Sequence, residues 1–409
     1  MHILMLSWEY PPYLVGGLGK HVADLSPALA ALGVEITVLT PQLRGGEPMI
    51  TEAGVHVIRV PIAGSPDGDL ANFAVRANRS LERTAWALWR QGKRFDLIHN
   101  HDWLTSQVGI ALKHAWRIPL IATIHATERG RGRGTLNGRQ SLQINHMEWS
   151  LTYEAWRVIV CSQFMSDEVA TFFSTPRDKI DIVPNGVEFQ PNPFTSSEER
   201  RALRRRFAED DQPLAFYIGR LVYEKGLHIL IDAWQQVHAQ TGGHLVIAGT
   251  GPMMETLRTQ AHTNGIGEAV HIAGFIDDTL RNQLYHLADM AIFPSLYEPF
   301  GIVALEAFAA HCPLIVSQTG GLAEVVRPHE TGILVEPGNV DSLVWGIMHV
   351  LQHPAWTQER VTNAFNDLEQ HYTWDHIATT IQGIYRRVQE DWRSSDWGRV
   401  PSLSYAYVE

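Results

Sequence analysis

The chain has 409 residues, more than one hydrophobic core organises and enough for two α/β domains. Hydrophobic residues make up 45% and charged residues 19%, an ordinary globular composition that excludes disordered and fibrous classes. A net charge of -11 argues against nucleic acid as a partner, while allowing a locally basic pocket for a small phosphate compound.

The N-terminal residues Met1–Glu9 lack a basic leader and run quickly into Pro11-Pro12, so no signal peptide is expected. No uninterrupted apolar run has the length to cross a bilayer, and a cytoplasmic protein is expected, with peripheral membrane contact left open. Cys161 and Cys312 each fall at or beside a predicted buried strand. They are expected to be reduced core thiols, neither a disulfide nor a metal pair.

Short apolar runs alternate with amphipathic stretches throughout, the pattern of βαβ units. In the first half strands are predicted at His2–Ser7, Glu35–Thr40, His56–Pro61, Asp96–Asn100, Leu120–His125, Arg157–Ser162 and Lys179–Pro184. Helices are predicted at Leu18–Leu32, Ala71–Arg90, Leu104–Trp116 and Gln163–Phe173. Gly64-Ser65-Pro66-Asp67-Gly68 has turn chemistry and reads as a surface loop. The stretch Glu188–Gln212 reads as a short linker leading into a charge-dense first helix of a second domain.

A second series of strands follows at Leu214–Ile218, His244–Ala248, Val270–Ala273, Met290–Pro294, Leu314–Ser317 and Ile333–Glu336. Helices are expected near Leu227–Ala239, Pro252–Asn264, Leu280–His286, Gly301–Ala310 and Val340–Leu351. Two such series predict two doubly wound, Rossmann-like α/β domains, over residues 1–190 and 191–373. A last helix over Asp375–Asp391 is expected to pack back on the first domain (residues 374–392), and residues 393–409 read as a flexible tail.

Several motifs fall at predicted carboxyl ends of strands, the edge where open α/β sheets bind ligands. Val15-Gly16-Gly17-Leu18-Gly19 opens a helix, so its amides suit a phosphate or sugar oxygen; a ligand-free tight turn fits equally. It is not G-x-G-x-x-G, so no dinucleotide fingerprint is present. In His99-Asn100-His101-Asp102-Trp103, Asp102 can accept from sugar hydroxyls and Trp103 offers an apolar face. Helix capping is the other reading of Asp102. The two histidines lack a third-ligand pattern nearby, so no metal is expected. His125 ends a neighbouring strand and should open to the same place. The following arginine- and glycine-rich segment, Glu128–Arg139, reads as a mobile basic loop that either folds over an anion or is simply solvated.

In the second half, Arg220 and Lys225 share one strand-to-helix loop, Gly219–Gly226, and can clamp a diphosphate; two ordinary surface cations is the plain alternative. Ala248-Gly249-Thr250-Gly251-Pro252 repeats the strand-to-glycine-turn pattern. In Glu298-Pro299-Phe300-Gly301-Ile302-Val303-Ala304-Leu305-Glu306 two acids frame a helix start. Glu306 can accept both hydroxyls of a ribose, Glu298 can grip sugar hydroxyls, and the amides of Phe300, Gly301 and Ile302 face a phosphate or sugar oxygen. Apolar surroundings around Glu306 call for a ligand or a partner. Thr319-Gly320-Gly321 opens another helix and adds amides.

Taken together, Gly219-Arg220-Leu221 with Glu224-Lys225-Gly226, the Glu-x7-Glu element, Asn185-Gly186-Val187 and the Gly320-Gly321 loop resemble retaining glycosyltransferases of the GT-B fold, in family 4, from Met1 to about Arg387. Ser7-Trp8-Glu9-Tyr10-Pro11-Pro12, the first glycine loop and His101-Asp102-Trp103 resemble the glycogen synthase-like branch. That branch usually carries lysine two residues before the first glycine, where this chain has Leu14.

The resemblance implies two Rossmann-like domains facing a cleft and a metal-independent hexosyltransferase without cofactor, its nucleotide-sugar being a substrate. Arg220, Lys225, Glu298 and His125 are the implied catalytic residues. Gly16, Gly17, Gly219, Gly251, Phe300, Gly301, Ile302, Glu306, Thr319 and Gly320 are the implied donor-binding residues, and Asp102 and Trp103 lie on the acceptor side. The expected reaction moves glucose from UDP- or ADP-glucose to an α-glucan or malto-oligosaccharide, with a sugar phosphate or a lipid as other acceptors. A glycan phosphorylase and a non-catalytic sugar-binding protein are the rival readings.

Overall fold

The computed structural model describes residues 1–65, 68–189 and 191–399. They form two units: Met1–Gly186 together with the segment from Trp374 onward, and Val187–Thr373.

The first unit is built on β1 (His2–Leu6), β2 (Glu35–Gln42), β3 (Met49–Glu52), β4 (Val55–Pro61), β5 (Leu97–His101), β6 (Leu120–Ile124), β7 (Arg157–Val160) and β8 (Ile180–Ile182). Their order is β3-β4-β2-β1-β5-β6-β7-β8, parallel throughout except for the antiparallel pair β3–β4. Ile3, Leu4, Met5 and Leu6 are fully buried, because helices cover both faces of a parallel sheet and leave no polar side to alternate with. Ile3 and Met5 face helix Gly17–Ala31, while Leu6 lies against Gly109 of helix Ser106–Trp116.

Helix Trp374–Ser394 belongs to this first unit. Its residues Ile377, Ile381, Ile384 and Val388 repeat at helical spacing and share one core with Val22, Leu25 and Leu29 of helix Gly17–Ala31. Each buried aliphatic of this kind contributes on the order of 1.5–3 kcal/mol. Tyr385 adds a specific link: its hydroxyl lies 2.6 Å from Nδ1 of His99, and both side chains are fully buried.

The helix runs three residues beyond the expected Asp391, and a further turn, Asp396–Arg399, follows. The tail is therefore ordered to this point. The Trp397 carbonyl accepts from Arg117, and the Trp392 indole N–H donates to the Arg117 carbonyl. Residues 400–409 lie outside the described residues, as do Pro66 and Asp67 of the expected surface loop and Gln190 of the expected linker.

The second unit contains β9 (Leu214–Ile218), β10 (His244–Ala248), β11 (Val270–Gly274), β12 (Met290–Phe293), β13 (Leu314–Ser317) and β14 (Ile333–Val335). All pairs are parallel, in the order β11-β10-β9-β12-β13-β14, the doubly wound arrangement whose switch point lies between β9 and β12. Helix Ser197–Arg204 begins as its composition predicts: Ser196 Oγ accepts from the Glu199 amide, and Glu199 reaches back to Thr195. The edge strand β3 and the long helices Gly138–Glu154 and Pro354–His371 were not predicted. Both cysteines are buried, and neither forms a disulfide. No helix among the described residues is long and apolar enough to cross a membrane.

Candidate active site

The predicted site residues of the second unit collect at and beyond the carboxyl ends of β9, β10, β12 and β13, around the switch point. After β9, residues 219–226 carry Arg220 and Lys225. Gly226 closes this loop with φ +69, and a Cβ there would lie 2.0 Å from the Pro294 carbonyl oxygen. Only glycine lets the loop press so closely on the end of β12. Backbone bonds then tie the loops together: Leu296 N–H to the Glu224 carbonyl (2.8 Å) and Gly321 N–H to the Glu298 carbonyl (2.9 Å).

This framework places Lys225 Nζ 2.6 Å from Glu298 Oε2, which also accepts from the Ser295 hydroxyl at 3.2 Å. Glu298 is buried and the lysine side chain is only 18% exposed, so the pair is well shielded from solvent screening. Arg220 is more open, and its nearest acid is Glu224 at 3.8 Å. Gly219 follows β9 directly, its N–H bonded to the Ala248 carbonyl, and Gly251 sits in the next loop, after β10.

Helix Ile302–Ala309 is capped by Gly301 at φ 104, a left-handed conformation that favours glycine, and Phe300 is buried just before it. Its first amides have no intrahelical acceptors and so present N–H groups beside the Lys225–Glu298 pair. Thr319 and Gly320 follow β13, with the Thr319 hydroxyl 3.4 Å from the Leu296 carbonyl.

One expectation is met from within the unit and one changes. Glu306 is half-buried, and its Oε2 already accepts from the Tyr285 hydroxyl at 3.1 Å, so the protein itself supplies the partner that its apolar neighbours demand. The helix after Gly320-Gly321 is a single turn, Leu322–Val325, and the Gly321 amide is engaged by Glu298.

At the carboxyl edge of the first sheet, Asp102 and His125 meet. Asp102 Oδ1 accepts from the His125 backbone N–H at 2.7 Å, holding the ends of β5 and β6 together. Burial raises the Asp102 carboxyl to about 6, partly opposed by the nearby Arg131. His125 Nε2 lies 3.2 Å from His101 Nδ1. Burial first, then Arg131, lowers the His125 imidazole to about 3 even though the residue is only partly covered. Trp103 does not line this edge. It is buried in a cluster with Trp8, Phe73, Ala77 and Ile144, which removes it as a sugar platform.

Gly16 and Gly17 open helix Gly17–Ala31, as predicted. The amides of Val15 and Gly16, however, donate to Glu9 Oε2 at 2.7 and 3.1 Å. Sequence reasoning passed over Glu9 as a site residue; its spacing from the glycines was the available signal.

The segment expected to be a mobile basic loop is anchored at its start. Helix Glu128–Arg131 is capped by Thr127, and the Glu128 N–H donates to both oxygens of buried Glu148 (2.9 and 3.1 Å). Burial, the largest effect, pushes the Glu148 carboxyl up to about 8. An acid raised in the folded state keeps its proton where the unfolded chain loses it. Its contribution to stability therefore falls as pH rises from about 4.5 to about 8. Glu148→Gln should flatten that part of the pH–stability curve and raise the melting temperature at pH 8; an unchanged slope would show that Glu148 titrates normally.

Comparison with known proteins agrees with this geometry. Residues 15–190 match the model of Glycosyltransferase Family 4, and residues 199–366 match that of Glycosyl transferases group 1. An uncharacterized glycosyltransferase of Methanocaldococcus jannaschii is 38% identical, covering 95% of this chain and 99% of that one. A glycogen synthase of Mycobacterium tuberculosis is 36% identical over 99% of both chains. Among solved structures, sucrose-phosphate synthase from Thermosynechococcus elongatus superposes with a TM-score of 0.81 at 25% identity, over 95% of this chain and 99% of that one. The chain belongs to the family 4 glycosyltransferases, and its two parallel sheets are of the GT-B type.

Proposed function

We propose that the chain is a retaining hexosyltransferase that moves glucose from UDP-glucose or ADP-glucose to an α-glucan or malto-oligosaccharide, with neither metal nor cofactor in the reaction. The observation that carries this reading is the shielded Lys225–Glu298 pair beside the amides that open helix Ile302–Ala309. A cation held by an acid at a helix start suits a diphosphate attached to a sugar.

In this mechanism Lys225 and Arg220 bind the donor diphosphate and stabilise the charge that develops as the bond from C1 to phosphate oxygen breaks. Glu298 and the amides of Phe300, Gly301 and Ile302 hold the donor sugar, and Glu306 accepts from the ribose. His125, kept neutral by burial, offers a hydrogen bond to a sugar hydroxyl. The acceptor hydroxyl adds to C1 on the face the diphosphate leaves, giving retention, and its proton passes to the departing phosphate oxygen. The 36% identity to a glycogen synthase supports glucose as the sugar and a glucan as the acceptor.

The test is release of nucleoside diphosphate from UDP-glucose and ADP-glucose, each with and without glycogen, maltotriose and glucose 1-phosphate. Release that requires glycogen or maltotriose and yields an α-linked product is expected. Release only with glucose 1-phosphate moves the acceptor to a sugar phosphate. If glucose 1-phosphate instead forms from glycogen and inorganic phosphate, with no nucleotide turnover, the protein is a phosphorylase and the proposal fails.

A further inference from the structure

The first unit holds a histidine cluster of which the transfer chemistry uses only His125. His21, on helix Gly17–Ala31, His101, ending β5, and His125, following β6, each offer one ring nitrogen within 4.8 Å of the others. His21 is 3% exposed, yet its Nε2 has no hydrogen-bond partner among the described residues. An unpaired buried nitrogen is costly, and one in a cluster of three imidazoles calls for a ligand.

We propose that His21, His101 and His125 bind a borderline-soft divalent transition-metal ion such as Zn2+, leaving its fourth position to water. The chemistry of the set fits. His21 Nδ1 lies 2.6 Å from Asn185 Oδ1, which can only accept, so Nδ1 carries the proton and Nε2 presents its lone pair. His101 Nδ1 and His125 Nε2 are 3.2 Å apart, near the roughly 3.3 Å between neighbouring ligands in a tetrahedral site with Zn–N of about 2.05 Å. His99 stands apart: one of its nitrogens meets Tyr385 and the other Thr123.

The ion is not assigned a part in sugar transfer. Where His125 serves the donor sugar, ion and sugar exclude one another, so zinc should inhibit; that consequence rests on the function proposed above, whereas ion binding does not.

The experiment loads the full chain with Zn2+, removes excess by desalting and counts retained metal by mass spectrometry, with affinity measured against a chromophoric chelator. The native chain should retain one equivalent more than His21→Gln and His101→Gln. Each variant should bind about tenfold or more weakly, since losing even an outer-shell partner commonly costs that much. Thermal unfolding shows which variants are folded, and two substitutions keep the test open if one fails. Co2+ loading should give a tetrahedral visible spectrum in the native chain only. Equal metal in native and folded variant chains, or none retained in any, overturns the site.

Discussion

Lys225→Ala should lower kcat/KM for nucleotide-sugar transfer by about 10²–10³, the usual loss when one donor to a developing oxyanion is removed. The same change should cost stability. Glu298 is buried, and without Lys225 its remaining bond is from the Ser295 hydroxyl at 3.2 Å. Stranding a fully buried charge costs about 3–5 kcal/mol; with the lysine 18% and the glutamate 11% exposed, about 1–3 kcal/mol is expected. The double variant Lys225→Met with Glu298→Gln separates the two effects. Removing both charges should restore most of the melting temperature, while activity stays lost. Recovery of turnover in the double variant would mean that the pair is structural and that the diphosphate binds elsewhere.

Glu306→Ala should raise KM for the donor more than it lowers kcat, with kcat/KM falling about 30- to 100-fold. That corresponds to losing about one hydrogen bond to a charged acceptor, at about 1.5–3 kcal/mol. The fold should survive, because the Tyr285 hydroxyl also lies 3.3 Å from the Val303 carbonyl. Glu306→Gln provides the control: it retains an acceptor for Tyr285 and should still bind donor poorly if the ribose needs the charge. Unchanged KM in both variants, measured by initial rates against donor concentration, would remove Glu306 from the donor site.

The sequence made the parallel sheets legible because each central strand is an uninterrupted apolar run between amphipathic helices. It was silent on β3, whose four residues, Met49–Glu52, lie mostly exposed at an antiparallel edge and carry no buried period. Helix Gly138–Glu154 hid for a similar reason: its buried positions include Glu148 and Thr152, while Leu142, Trp149 and Tyr153 are exposed. At the site, residues within one strand-to-helix loop could be paired by eye, as with Arg220 and Lys225. Partners distant in sequence could not. Tyr285 reaches Glu306 from another helix, and His21 comes to His101 from a helix 80 residues upstream, which is why two histidines near β5 suggested no third. Trp103 misled because an aromatic beside an acid at a strand end reads alike whether it faces a ligand or the core.

The placement of helix Trp374–Ser394 in the first unit has a consequence for how the protein is made. A ribosome completes residues 187–373, with all six strands of the second sheet, before the residues that finish the first core exist. Until then Leu25, Leu29 and Ile36 lack Ile377, Ile381 and Tyr385 as neighbours, and the His99 imidazole lacks the Tyr385 hydroxyl. The unit that begins first in the sequence is thus the last to mature, and the nascent chain carries an unfinished apolar surface while its later half folds.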